Sequence, residues 1–110
     1  MTTDVLALQQ KMDELRTRYL KLQQSRSRHI DLQHENTLVL EDLKKLKPDV
    51  SLFYAAGPTL IPESHEDARQ AVEEKVAFIK KRLESLENQT KEVEGEIKSV
   101  DAQIAQVSKR

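Results

Sequence analysis

Apolar residues in the second half of the chain recur at alternating steps of four and three: Val72, Val76, Ile79, Leu83 and Leu86, then Val93, Ile97, Val100, Ile104 and Val107, with polar Thr90 between the two runs. That spacing keeps one narrow stripe on a helix, the a/d pattern of a coiled-coil seam, and it demands a second helix as partner. The first half supplies one, because Val5, Leu8, Met12, Leu15, Tyr19 and Leu22 alternate in the same way. Counted onward, this stripe meets Arg26, His29, Gln33 and Asn36 before Leu40 and Leu43 restore it. Leu32, Val39 and Leu46 fit a count displaced by one short step, so the seam there is either polar or stammers.

Both helices carry stop and start signals. Lys47 before Pro48 ends the first, since a residue preceding proline is pushed out of the helical region. Pro62 followed by Ser64, Glu66 and Asp67 starts the second, with Ser64 as N-cap, Asp67 in the capping-box position and acids beside the positive end of the dipole. Between them, Val50 to Tyr54 and Thr59 to Ile61 are β-rich runs around Ala55-Ala56-Gly57-Pro58, which reads as a β-hairpin. Its turn lacks the Asn-Gly signature, so Gly57-Pro58 sits either within a longer turn or at the start of the second strand, and the register stays open. Replacing residue i of the first stripe by residue 112 minus i lands on the second, pairing Leu8 with Ile104, Met12 with Val100, Leu15 with Ile97 and Tyr19 with Val93. The expected fold is mainly α: an antiparallel two-helix coiled-coil hairpin with one β-hairpin between the helices. It forms a single domain over 1–110, with helix 1 at 3–47, the hairpin at 48–63 and helix 2 at 64–109.

Composition agrees with a thin core. Tyr19, Phe53, Tyr54 and Phe78 are the aromatic residues, and 34% of the chain is charged. With no cysteine there is no disulfide, thiolate or Cys-based zinc chemistry. The first residues show neither a basic start with an apolar run nor a membrane-length stretch, so a cytoplasmic location is the expectation. A net charge of −1 speaks against a nucleic-acid or acidic-membrane surface. The local exception, Arg16, Arg18, Lys21, Arg26 and Arg28, suits a solvated helix face or a polyanion contact. His29, His34 and His65 lack metal-ligand spacing, and Gly57 and Gly95, the only glycines, cannot build a phosphate cradle. Neither a catalytic residue, a metal nor a cofactor is expected, and the chain does not read as an enzyme.

Two apolar regions are left without an obvious cover. Val50, Leu52, Phe53, Tyr54, Leu60 and Ile61 are too apolar for a solvated loop, and a lone two-stranded hairpin is marginal in water. Together with Gly57, Pro58 and the off-seam Phe78, they are read as an oligomer interface. Pro58 and Pro62 share parity, so in a regular strand one edge would be poor in donors, although the prolines would equally serve merely to bound a short strand. At the terminal end, Val5, Leu6, Leu8 and Met12 stand opposite Val100, Ile104 and Val107, and Gly95 weakens the helix nearby by roughly 1 kcal/mol.

The run Leu52-Phe53, Ala56-Gly57-Pro58-Thr59-Leu60-Ile61, Glu66-Asp67-Ala68-Arg69-Gln70-Ala71-Val72 and Val76-Ala77-Phe78-Ile79 resembles the β-type prefoldin subunits, above all those of the subunit 6 kind. Pro62-Glu63 departs from that kind, where a basic and amide pair is usual. The resemblance implies an ATP-independent holdase subunit in a hetero-hexamer of two α-type and four β-type subunits, whose hairpins form a platform. It further implies capture of unfolded clients such as actin and tubulin by Val5, Leu6, Leu8, Met12, Val100, Ile104 and Val107 at the coil tips, and transfer to the group II cytosolic chaperonin. The alternative from the residues themselves is a structural coiled-coil adaptor that holds specific protein partners along its flank, with the basic run as contact.

Overall fold

The computed structural model describes residues 2–109, in the order α1 (Thr2–Lys45), β1 (Leu52–Ala56), β2 (Thr59–Glu63) and α2 (His65–Ser108). The chain divides into two compact units, one reaching up to Arg28 and resuming from Leu83, the other formed by residues 29–82.

In the first unit the two seams meet. Met12, Leu15, Leu22, Leu86, Val93 and Val100 form one buried cluster, with Leu8, Tyr19, Ile97 and Ile104 packed against it. Leu8 shares a groove with Gln103 and Val107, while Tyr19 shares another with Thr90 and Glu94, so the helices run antiparallel in the expected mirror arrangement. Leu86 and Val93 are sealed, at 1% and 0% exposure, and burial of such side chains stabilises by about 1.5–3 kcal/mol each. Thr90 fits the apolar layer because its hydroxyl donates to the Leu86 carbonyl at 2.7 Å, which leaves its methyl to pack.

In the second unit the seam keeps its original count. His29, Gln33, Asn36, Leu40 and Leu43 are half-buried, whereas Leu32, Val39 and Leu46 lie exposed. The polar seam is real and there is no slip: Asn36 turns its amide to the Leu32 carbonyl of its own helix at 2.8 Å, which satisfies a donor without a partner across the seam. From α2, Ala68 and Ile79 are buried and Val72 and Val76 half-buried.

α1 ends in a tightened turn, Leu46 N–H to Leu43 carbonyl at 3.4 Å, with Lys44 and Lys45 beside the negative end of the dipole. Lys47 to Val50 then closes a β-turn around Pro48, the Val50 N–H reaching the Lys47 carbonyl at 3.1 Å. Ser64 caps α2, its Oγ accepting from the Asp67 N–H at 3.1 Å while its carbonyl takes the first helical bond from Ala68 at 3.0 Å.

The strands pair antiparallel from Leu52 with Glu63 to Ala56 with Thr59, which leaves Gly57 and Pro58 as the whole loop. Gly57 takes φ +62°, and proline cannot follow it with a second positive φ, so the turn is of the II′ kind with glycine first. β1 therefore begins two residues later than its β-rich run and takes in Ala55 and Ala56, because the turn sets the register and side-chain propensity yields to it.

Candidate functional site

Pairing sorts the hairpin into two faces. Directly opposite residues share a side, so Leu52, Tyr54 and Ile61 stand together with Glu63, and Phe53, Ala55, Leu60 and Pro62 stand on the reverse. The first face is partly covered, since Leu52, Ile61 and Glu63 are half-buried. The second is wholly apolar and wholly exposed, Phe53 at 54% and Leu60 at 66%. Of the residues singled out from the sequence at this end, Val50, Tyr54, Gly57 and Pro58 are exposed as well.

The ladder also fixes the edges. In a hairpin closed by a two-residue loop, Ala56 with Thr59 is a hydrogen-bonded pair, and the pairs alternate from there, so Phe53 with Pro62 is a non-bonded pair. Pro62 thus costs no bond to β1; its missing N–H lies on the outer edge of β2, leaving Leu60 as that strand's outward donor. β1 turns outward the full backbone groups of Phe53 and Ala55. Pro58 belongs to the turn, so the donor-poor edge rests on Pro62 alone.

In the first unit, Asp4, Ala7, Leu8, Gln103, Gln106 and Val107 line a shallow groove of about 380 Å³. Among the seven residues anticipated at the terminal end, Leu6 is exposed, and Val5, Leu8, Ile104 and Val107 are half-buried. Met12 and Val100 are buried core, reachable only if the helices part.

Along one side of the second unit runs a groove of about 690 Å³ lined by Leu32 and Asn36 of α1 and by Ala71, Glu74, Lys75, Phe78 and Ile79 of α2. Phe78 is 69% exposed there. The sequence signalled Phe78 as lying off the seam, but Leu32 as its neighbour was hidden in the apparent second heptad count.

Among the described residues no three His, Asp or Glu side chains gather as a metal site, and no helix is long and apolar enough to cross a membrane. The basic run on α1 is exposed at Arg16, Arg18, Lys21, Arg26 and Arg28, with Arg26 at a seam position in the groove it shares with Tyr19 and Thr90 and the others beside or opposite the seam.

Comparison with known proteins points one way. A family model described as prefoldin subunit matches residues 6–110. A Drosophila melanogaster protein named probable prefoldin subunit 6 is 37% identical over 62 residues, covering 53% of this chain and 50% of the relative, so the match spans half of that protein's length. The crystal structure of the prefoldin beta subunit from Thermococcus strain KS-1 superposes with a TM-score of 0.87 at 20% identity, over 94% of this chain and 91% of that one, a likeness of fold.

Proposed function

The chain belongs to the prefoldin subunit family, and from that premise we propose that it is an ATP-independent holdase subunit of a hetero-hexameric prefoldin complex. Its partners in this reading are two α-type and further β-type subunits, its location is the cytoplasm, and its clients are unfolded chains such as actin and tubulin, handed on to the group II chaperonin. The observation that carries the reading is the uncovered apolar hairpin face of Phe53, Ala55, Leu60 and Pro62, which in water requires a neighbour.

Client contact falls to the terminal end of the helix pair. Leu6 is the exposed residue, Leu8 and Val107 are half-buried in the walls of the shallow groove and Val5 and Ile104 are half-buried beside it, whereas Met12 and Val100 hold the coil together and join a client surface only on opening. Weak apolar contacts repeated over several subunits retain a client through effective concentration, without sequence-specific chemistry.

The test is native mass spectrometry of the chain alone and after mixing with an α-type prefoldin subunit. A six-chain species that disappears with Phe53→Ser and Leu60→Ser supports the assembly. A monomer or homodimer with every α-type partner tried favours the flank-binding adaptor, for which charge reversal at Arg16, Arg18 and Lys21 then becomes the decisive experiment. Within an intact hexamer, Leu6→Ser, Leu8→Ser and Val107→Ser together should abolish suppression of client aggregation; undiminished suppression would move the client surface elsewhere.

A further inference from the structure

Two seam stripes overlap on α1 in the second unit. The one turned to α2 runs through His29, Gln33, Asn36, Leu40 and Leu43, and its first three positions are polar. The other runs through His29, Leu32, Asn36, Val39 and Leu43 at alternating steps of three and four, and it is the more apolar. They share His29, Asn36 and Leu43 and differ only in whether Gln33 and Leu40 or Leu32 and Val39 complete the seam. Leu32 and Val39 stand outside it, 44% and 46% exposed, although α2 presents an apolar row of Val72, Val76 and Ile79.

Two successive steps of three, from Arg26 to His29 and on to Leu32, lead into the second stripe, which is the stammer that overwinds a coiled coil. Three residues at about 100° each fall about 60° short of a full turn, so a rotation of that size about the helix axis exchanges the two pairs. The stretch between them suits such a twist. Asn36 fits either seam, because its amide donates to the Leu32 carbonyl of its own helix at 2.8 Å. The Thr37 hydroxyl donates to the next carbonyl, that of Gln33, at 2.7 Å, and side chains bonded four residues back loosen and bend a helix. Just beyond Leu43 the helix ends, its last turn closed by the 3.4 Å bond from the Leu46 N–H, so the twist meets no continuing helix there.

We propose that residues 29–43 of α1 form a register switch. The described state faces α2 with Gln33 and Leu40, and a second, less populated state faces it with Leu32 and Val39. Close-packed seams hold discrete arrangements rather than intermediate ones, so the exchange is between two states. The first state displays an apolar flank at Leu32 and Val39; the second withdraws that flank against the chain's own α2 and turns Gln33 and Leu40 outward. Exposure of the flank is thereby conditional, set by whatever favours one register over the other. The inference rests on the helix pair alone and does not depend on the hexamer.

The test exploits the absence of cysteine from the full chain. Leu40→Cys with Val72→Cys reports the first register, Val39→Cys with Val72→Cys the second, and Leu38→Cys with Val72→Cys serves as an outward control. Under mild oxidation in dilute solution, intramolecular disulfide formation is followed by mass. The Leu40 pair should link fastest, and the Val39 pair should link within about tenfold of it and well ahead of the control. Leu32→Glu, which only the second register buries, should slow the Val39 pair by at least about fivefold and leave the Leu40 pair unchanged. Gln33→Leu, which favours the first register, should slow the Val39 pair as well, with circular dichroism confirming that each variant is folded. A Val39 pair no faster than the control would overturn the proposal, as would one that links quickly but ignores both Leu32→Glu and Gln33→Leu, since its reactivity would then be mere adjacency to Leu40.

Discussion

The imidazole Nε2 of His65 donates a hydrogen bond to the carbonyl oxygen of Val50 at 2.6 Å, tying the first residue of α2 to the chain just ahead of β1. A carbonyl can only accept, so the bond selects the tautomer with the proton on Nε2. Together with the Ser64 cap, this bond closes the base of the hairpin at both of its ends. Substitution His65→Ala should lower stability by about 1 kcal/mol in urea unfolding and speed amide exchange in β1 and β2 while leaving α1 and α2 unchanged. Unaltered exchange in the strands would show that the turn alone orients the hairpin.

Gly57 offers a purely conformational test. Nothing lies within 4 Å of the position a Cβ would take, and φ is +62°, so Gly57→Ala meets no clash and only backbone strain. The expected loss is about 1–2 kcal/mol, with Gly57→Asn losing less because asparagine tolerates that region. Thermal unfolding of the two variants side by side reads the order.

The long helices were legible because a period sustained over many turns averages out local exceptions. The Thr90 layer did not break it, since the hydroxyl has a carbonyl of its own helix to bond. The hairpin's existence was legible too, but its register was not, because Val50 is more β-prone than Ala55 or Ala56 while the turn geometry at Gly57-Pro58 overrides both. The pairing of glycine with proline held the answer, as only one primed turn admits proline second. The choice between a polar seam and a stammer depended on packing: His29, Gln33 and Asn36 stay half-buried and the better apolar set goes to the flank. Surfaces are the least legible, since burial of Met12 and exposure of Leu6 follow from the same local pattern and differ only in which way the seam faces.

That polar seam yields a third expectation. Replacing half-buried Gln33 and Asn36 by leucine should raise stability by roughly 1 kcal/mol or more per site through added apolar burial. It should also shift the chain toward homo-oligomers, because a polar layer restricts partner number at a cost in stability. Sedimentation velocity at several concentrations separates the two effects; a more stable variant that stays monomeric would assign these residues no part in partner choice.

Gly95 sits inside α2 with open space for at least 4 Å around the point where a Cβ would stand, and its φ is not in the left-handed region. Gly95→Ala should therefore stabilise the helix by about 1 kcal/mol, read as a higher unfolding midpoint. If local opening of this stretch contributes to client capture, the same variant will bind clients less well, and a comparison of melting with aggregation suppression shows whether stability and capture trade against each other.

The placement of Pro62 gives the hairpin a head and a tail. One border, along β1 at Phe53 and Ala55, offers a neighbour donors and acceptors alike, while the other, along β2, offers at Pro62 an acceptor without its donor. Head-to-tail stacking of identical copies would leave a bond unmade at every junction, whereas head-to-head joining loses none. A strand pair built this way favours assemblies that close over those that propagate, which is protection against fibrous growth written into one imino acid.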